Sequence, residues 1–426
     1  MLSRKIALPI LMVLAIAGSS ALAQPAIEHW QPAAGVYSDW VREMARKFEA
    51  ETGIRVNVVD REAGLIMEVL TVYAAAGLAP DVVMTGSEAL GEIEPLLADL
   101  DPYIDRDASF HWDIYPPSIT RDRLRPSGRT VGLPTLIWAP TTARNARLFD
   151  EAGVAAPSRG WTWEEDFREV ASKFTRDDDG DGLPDQYGML LPASYSHLGI
   201  IVHHFGGSWF DNMVSPSHSR LTDPVTIEAV EFIYGELESG RMTFEGNWWG
   251  DSGAQNIAMH LTGYTSDEAR SFRPEYTDTM HFEWMPPPRG AAGTGTDVAL
   301  NVMVLLERSN RKDDAWRWMK YLVENPENNI GVGYAQNSPR IPANVEAFRM
   351  FFEDISRRTP SVQYLVEELV NPRSGELRIV HPEGRRIGLT ITEWLRRALI
   401  ERDIPVTEAL IQAETVVEPV LAQFRK

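Results

Sequence analysis

The sequence predicts an α/β protein built as two lobes, and three features carry that expectation. Strand-like and helix-like segments alternate from Ile27 to Ser87. An apolar stretch at 131–149 is interrupted by Pro134 and Pro140. A second proline run, Pro286, Pro287 and Pro288, leads through a glycine-rich passage to another apolar segment at 298–306. A chain passing between two lobes has the texture of 131–149. So has a buried strand with a bend, and these residues alone leave both open.

The N-terminal third justifies the α/β class element by element. Residues 27–30 read as a short strand. Residues 36–52 read as a helix, because Tyr37, Trp40, Val41, Met44, Ala45 and Phe48 recur at the spacing of one helical face. Gly53 suits the left-handed residue that ends a helix. Residues 54–59 alternate as a strand, 65–76 form a helix that Gly77 stops, and 81–84 form a third strand. Strand, helix, strand, helix, strand at this spacing predicts a parallel sheet. Ligands of such sheets bind beyond the carboxyl ends of the strands. Those ends are Trp30 and Gln31, then Asp60 to Glu62, then Thr85 to Ser87.

Beyond 149 the elements change. Trp161 opens a helix to about Phe174, with Thr162 as N-cap and Glu165 closing a capping box. Residues 198–204 are apolar, and 224–239 are helical. An aromatic, glycine-rich loop holds Trp248 and Trp249. Residues 257–262 are strand-like, and the proline run at 286–290 suits a second crossing. Residues 313–323 and 407–424 are amphipathic helices, and the chain from Met350 onward is mostly helical.

Composition bounds the function. Arg4 and Lys5, the apolar run 6–16 and the small residues ending at Ala23 read as a secretory signal peptide cleaved before Gln24. There is no cysteine. Secretion without disulfides fits a bacterial periplasm and a core large enough to need no covalent staples. The net charge of −20 argues against nucleic acid and anionic membrane surfaces as partners.

Catalytic motifs are scarce. No nucleophile elbow, zinc-protease helix motif or phosphate-binding loop occurs, and the adjacent His203 and His204 cannot converge on one metal from a strand. The sharpest local motif is acidic. Asp177, Asp179, Asp181 and Asp185 stand at positions one, three, five and nine of a calcium-type loop, with Leu183 offering its carbonyl at seven and a glycine at six. Gly188 replaces the bidentate glutamate at twelve. A weakened calcium site and a solvated Asp-Gly turn both fit. Thirteen tryptophans are many. Trp40, Trp316, Trp318 and Trp394 sit in helical patterns and read as core. Trp30, Trp138, Trp209, Trp248, Trp249 and Tyr264 sit at strand ends or in loops, where binding surfaces gather. Their flat rings can stack on a pyranose.

Taken in order, these segments resemble the extracellular solute-binding proteins of bacterial sugar ABC importers, the maltose-binding type. The likeness runs through Ile27 to Trp30, Thr52 to Val58, Ala79 to Val83, Gly132 to Thr135, Asn145 to Gly153, the acidic loop to Tyr187, Ala258 to Gly263, Ala315 to Leu322 and Ser338 to Pro342. It covers nearly the whole chain after the leader.

The resemblance implies a two-lobe periplasmic binding protein fold with a central ligand cleft and hinge crossings. The lobes would be 24–134 with 296–345, and 135–295 with 346–426. It implies a monomeric, non-enzymatic protein that binds a mono- or oligosaccharide without a required cofactor and delivers it to a membrane permease by hinge closure. By position, cleft residues fall near Gln31, Ser87, Trp138, Tyr195, Trp209, Tyr264 and Asp297. Trp248 and Trp249 join them from their loop context. One departure stands out: Ala143 and Arg144 precede Asn145 where the family often has an aromatic pair. Alternatives are a binder of another polar solute, such as a polyamine or a glycerol phosphoester, and a secreted polysaccharide-active enzyme.

Overall fold

A computed structural model describes residues 26–32, 38–62, 65–182, 184–245, 256–261, 282–334, 340–357 and 359–425. The expected signal peptide and its cleavage site lie outside these residues. Two sheets organise the chain. The first has the order β11-β4-β10-β3-β1-β2, from β1 (Ile27–Pro32), β2 (Val56–Arg61), β3 (Val82–Gly86), β4 (Leu133–Trp138), β10 (Ala299–Leu305) and β11 (Ile341–Pro342). The second has the order β7-β6-β8-β5-β9, from β5 (Ala143–Asn145), β6 (Tyr187–Leu190), β7 (Met242–Thr243), β8 (Ile257–His260) and β9 (Phe282–Trp284).

The two strands within 131–149 fall in different sheets. The stretch is therefore a crossing, made over 139–142, and the buried-strand alternative is excluded. The chain returns between β9 and β10, over 285–298. That return explains why the first sheet is mixed rather than parallel throughout. The chain re-enters at the edge it left, so β10 must run antiparallel between β3 and β4. The carboxyl ends of β1 to β4 and the start of β10 consequently share one edge.

Helix α1 (Ser38–Thr52) buries Trp40, Val41, Met44, Ala45 and Phe48, the face read from the sequence; Tyr37 lies outside the described residues. Burying Val41, Met44 or Phe48 contributes about 1.5–3 kcal/mol each. Its ring Phe48 meets Trp318 at 5.3 Å. Gly53 ends it at φ +73°, where only glycine is unstrained. Helix α2 (Ile66–Ala75) and the short α3 (Leu90–Ile93) follow in the first half of this lobe. In the second lobe α4 (Tyr195–Phe205) and α5 (Pro224–Glu238) cover the other sheet.

The segment after Trp161 departs from expectation. Trp163–Phe167 is a π-helical turn, and Phe167 N–H donates to the Thr162 carbonyl at 2.9 Å. The wider turn takes in one extra residue, so the capping partner of Thr162 is Asp166 rather than Glu165. Asp166 N–H donates to Thr162 Oγ1 at 3.4 Å, and Thr162 N–H donates to the Asp166 carboxylate at 2.8 Å. His203 and His204 lie on α4, not on a strand. Neighbours on a helix point about 100° apart, and these two face different partners.

Helix α6 (Lys312–Val323) brings Trp316 and Trp318 into the first core. Helices α7 (Val345–Ser356) and α8 (Gln363–Val370) also join it, through Phe348, Phe351, Phe352 and Leu365. The sequence-based division at 345 falls on the first residue of α7, whereas the third passage between cores comes after α8, over 371–383. Helices α9 (Gly384–Arg396) and α10 (Val406–Ala422) pack in the second core. Among the described residues no helix is long and apolar enough to cross a membrane.

Candidate functional site

The three passages run side by side and are stitched together. Thr296 Oγ1 donates to the Pro140 carbonyl, joining the second passage to the first. Thr296 N–H donates to Ser374 Oγ at 2.9 Å, Gly375 N–H to the Thr296 carbonyl at 3.1 Å, and Val298 N–H to the Gly375 carbonyl at 2.6 Å, joining the second to the third. This seam lies between the inner edges of the two sheets. A small change in backbone angle here would reorient the lobes.

Three expected ligand residues meet at the seam. Asp297 is buried, and its carboxylate accepts from Leu377 N–H at 3.0 Å and Arg378 Nε at 2.9 Å. Ser87, at the end of β3, donates to Glu376 at 2.7 Å and accepts from Leu300 N–H at 3.3 Å. Tyr195, past the end of β6, accepts at its hydroxyl from Ile379 N–H at 3.2 Å. Ser87 belongs to the first lobe and Tyr195 to the second. Both, with Asp297, are engaged by the single run 376–379. Burial raises the Tyr195 hydroxyl well above the ordinary phenol range, so it stays neutral.

Glu376, Arg123 and Arg378 were not among the expected residues. Glu376 also receives Arg123 Nη2 at 3.2 Å, and Arg123 reaches the Ser118 carbonyl at 2.9 Å. Burial pushes the Glu376 carboxyl up to about 7 against the pull of Arg123. No periodic signal marks these residues, because Arg123 lies on a single 3₁₀ turn, Glu376 and Arg378 lie on an irregular segment, and they meet partners far away in sequence.

The remaining expected residues are spread along the edges. Gln31, at the end of β1, donates to Asp60 at 2.9 Å, and its Oε1 is buried without a partner. Burial pushes the Asp60 carboxyl up, but hydrogen bonds from Arg42, Gln31 and Ser38 outweigh it and hold Asp60 below the usual range. Trp138 is half-buried at the end of β4, with the Arg340 guanidinium 4.0 Å from its ring. Trp209 is inside the second core. Its indole N–H donates to the Tyr195 carbonyl at 2.8 Å, and it lies so close to Gly199 that a Cβ there would stand 2.7 Å from the indole nitrogen. Trp248, Trp249 and Tyr264 lie outside the described residues. The chain leaves them after Glu245 and Leu261, which follow β7 and β8 on this same inner edge.

A family model for the bacterial extracellular solute-binding protein matches residues 34–329. The chain belongs to that family. Family membership places such a protein in the periplasm or outside the cell. No curated relative matches the sequence. Among solved structures, a cyclic alpha-maltosyl-1,6-maltose binding protein from Arthrobacter globiformis is similar at 17% identity and a TM-score of 0.77, over 94% of this chain and 99% of that one. An ABC substrate-binding protein of Listeria monocytogenes, in complex with cycloalternan, is similar at 20% identity and a TM-score of 0.75, over 93% and 98%. The sugar-binding protein MalE of Xanthomonas citri is similar at 19% and 0.74, over 94% and 98%. At these identities the likeness shows the shared two-lobe fold.

In this solute-binding protein Arg144 has its own explanation. It pairs with Glu283 at 2.6 Å, directly across the β5–β9 ladder, and its guanidinium lies 5.2 Å from the Phe149 ring. A cross-strand ion pair thus occupies the position where an aromatic was expected. Trp394, expected in the core, is half-buried on α9: it packs against the second core and also lines a cavity of about 740 Å³ between α9, α10 and Glu92 of α3.

The acidic loop folds around its own backbone. Asp177 accepts from Gly180 N–H at 2.7 Å and Gly182 N–H at 2.9 Å, and Asp185 accepts from Asp178 N–H at 2.7 Å. Carboxylate oxygens of Asp177, Asp179 and Asp185 lie within 4.8 Å of one another; Asp181 is not in this group, and Leu183 lies outside the described residues. Gly188 cannot be replaced by a ligand residue, since a Cβ there would stand 2.6 Å from Ala171.

Proposed function

We propose that this solute-binding protein captures a carbohydrate, a mono- or oligosaccharide, between its lobes and hands it to an ABC importer permease by hinge closure. It acts as a periplasmic monomer released from its signal peptide after Ala23, and it turns nothing over. The carrying observation is the seam at 376–379, where side chains of both lobes converge on one strand passage. A ligand touching Ser87 or Tyr195 acts on the hinge itself, and closure follows if it contacts the closed arrangement better than the open one. The named carbohydrate ligands of the similar structures support sugar as the class. The lobes follow the two cores: 26–139 with 298–370, and 143–285 with 384–425.

The test is a panel of mono- and oligosaccharides followed by tryptophan fluorescence and melting. The true ligand at one hundred times its Kd should stabilise the protein by about 2.7 kcal/mol, with no glycoside product formed. Silence across the panel, or turnover, overturns the proposal.

We also propose that the acidic loop holds a structural calcium ion, with Asp177, Asp179 and Asp185 as ligands and water completing the shell. The three converging carboxylates fit a hard cation, and the missing glutamate makes the site weak, in the class of about 10⁻⁴–10⁻³ M. Millimolar calcium should raise the melting temperature, and Asp179→Ala should abolish the rise. Equal calcium responses in the two proteins would refute the site.

A further inference from the structure

The two lobes grip the third passage in different ways. On the side of the second lobe the grip is main-chain. Val380 N–H donates to the Met213 carbonyl at 2.8 Å, and Ser215 N–H donates to the Val380 carbonyl at 2.9 Å. On the side of the first lobe the grip at 376 is a single carboxyl group. Glu376 Oε2 accepts from the Ser87 hydroxyl at 2.7 Å and from Arg123 Nη2 at 3.2 Å, while Oε1 is buried without a partner. A main-chain grip does not change between pH 5 and 8. A carboxyl grip does, because its charge can be removed.

The charges around Glu376 leave that choice open. Arg123 faces it from the 3₁₀ turn Arg121–Leu124 and is shared with the Ser118 and Val298 carbonyls. Asp297 adds a second negative charge from the second passage. Arg378, on the same run, is taken up by Asp297 at 2.9 Å and lies 3.9 Å from Glu88. Tyr195 and His197 of α4 feel the Arg378 charge, and burial keeps both neutral. Further along the run, His381 Nδ1 accepts from Glu383 N–H at 3.0 Å, and burial lowers it below the ordinary range. An ionised Glu376 is thus an enclosed anion with one dry oxygen, and burial disfavours that form more than Arg123 supports it.

We propose that Glu376 is a proton-sensitive positioning residue of the hinge. With a proton on Oε1 the run 376–379 stays seated against Ser87 and Arg123. Without it the enclosed anion is relieved when the run parts from them and admits water, and the lobes turn about the main-chain grip. The balance between the two arrangements is then set by pH as well as by ligand. This goes beyond the carbohydrate reading and rests only on the seam being the hinge. Protons favour the seated arrangement. Its ratio to the parted one should fall by up to about tenfold per pH unit from 4.5 to about 7 and level off above.

The chain has no cysteine, so spin labels can be placed at Leu78→Cys in the first lobe and Ile411→Cys in the second, both exposed. Distances between them are measured by double electron–electron resonance at pH 5.5 and 8, with folding checked by circular dichroism. A second distance should grow in at pH 8, the ratio of the two changing by about tenfold or more. Glu376→Gln, permanently neutral, should hold the pH 5.5 distance at both pH values, and Glu368→Gln, a buried carboxyl bound to Thr294 instead, should leave the response intact. Arg123→Gln removes the charge that supports the ionised form, so it should enlarge the pH 8 population. It decides the question even where Glu376→Gln does not fold: a pH 8 population no larger than in the parent overturns the proposal. So do equal distances at both pH values, or an unchanged response in Glu376→Gln. A distance that shifts with a sugar of the panel but not with pH overturns the proton coupling and leaves the carbohydrate reading standing. A distance moved by neither overturns both.

Discussion

Lowering the pH from 7 to 5 is expected to destabilise the protein by an amount on the order of 5 kcal/mol, through histidines folded in their neutral form. Burial lowers His29, His197 and His204 to about 3 and places His260 well below the ordinary range. Geometry agrees. The Trp318 indole donates to His29 Nδ1 at 3.0 Å, and the Trp163 indole donates to His204 Nδ1 at 3.0 Å. Each of these nitrogens must stay unprotonated to accept. His204 Nε2 then carries the proton and donates to the Gly295 carbonyl at 2.8 Å.

The sign follows from which state binds protons. Below the unfolded value of 6.5 the unfolded chain is protonated and the folded one is not. Stability therefore falls with pH from 6.5 toward 3, by up to about 1.4 kcal/mol per unit for each histidine. Glu376 works the other way, because its raised folded value favours the protonated form in the fold between 4.5 and about 7. Burial raises Glu368 in the same sense, and the four histidines outweigh the two carboxyls. Denaturant melts at pH 7, 6 and 5 should show this loss. His29→Asn keeps an acceptor for Trp318 and removes one titrating group, so its slope should fall by about one proton. A stability unchanged between pH 7 and 5 would rule the account out.

Why some of this was legible in the sequence and some was not has a physical basis. Helix α1 was readable because Trp40, Val41, Met44 and Phe48 repeat with the helical period, and burial follows that period. The crossing over 139–142 was half-readable. Pro134 and Pro140 marked a break, but only pairing partners distinguish a crossing from a bend, and those partners, Asn301 and Met259 among them, are remote. Trp209 and Trp394 differ from expectation in burial, Trp209 being fully enclosed and Trp394 only partly buried against the second core. Glycines around Trp209 suggested an open loop, yet Gly199 is what lets its indole insert. Trp394 shares a helix with Ile387, Ile391 and Leu395, but it stands beside their face rather than in it. The run 376–379 gave no signal at all. Its structure is dictated by Ser87, 289 residues away, and Arg123, 253 residues away.

Arg123→Ala is expected to cost about 3–5 kcal/mol at pH 8, the range for removing one partner of a buried ion pair. Arg123 and Glu376 are nearly inaccessible, with side chains 9% and 3% exposed. Without the guanidinium, Glu376 keeps the Ser87 hydrogen bond and the weaker pull of Arg378, and Oε1, already without a partner, loses its stronger positive neighbour. The carboxyl would then rise above its present value of about 7. A raised folded value means the proton is held more tightly in the fold, so stability falls as pH climbs from 4.5 through the folded value. The Arg123→Ala deficit should therefore be larger at pH 8 than at pH 5, opposite in direction to the histidine effect. Arg123→Ala with Glu376→Gln should recover part of the loss, because an amide needs no counter-charge and still accepts from Ser87. A single-variant cost under about 1 kcal/mol at pH 8, the level of exposed pairs, would show that the pair does not hold the seam. So would a double variant no more stable than the single. Because Glu376 stands next to Leu377 and Arg378, which hold Asp297, losing this pair should also weaken ligand binding in a protein that remains folded at low temperature.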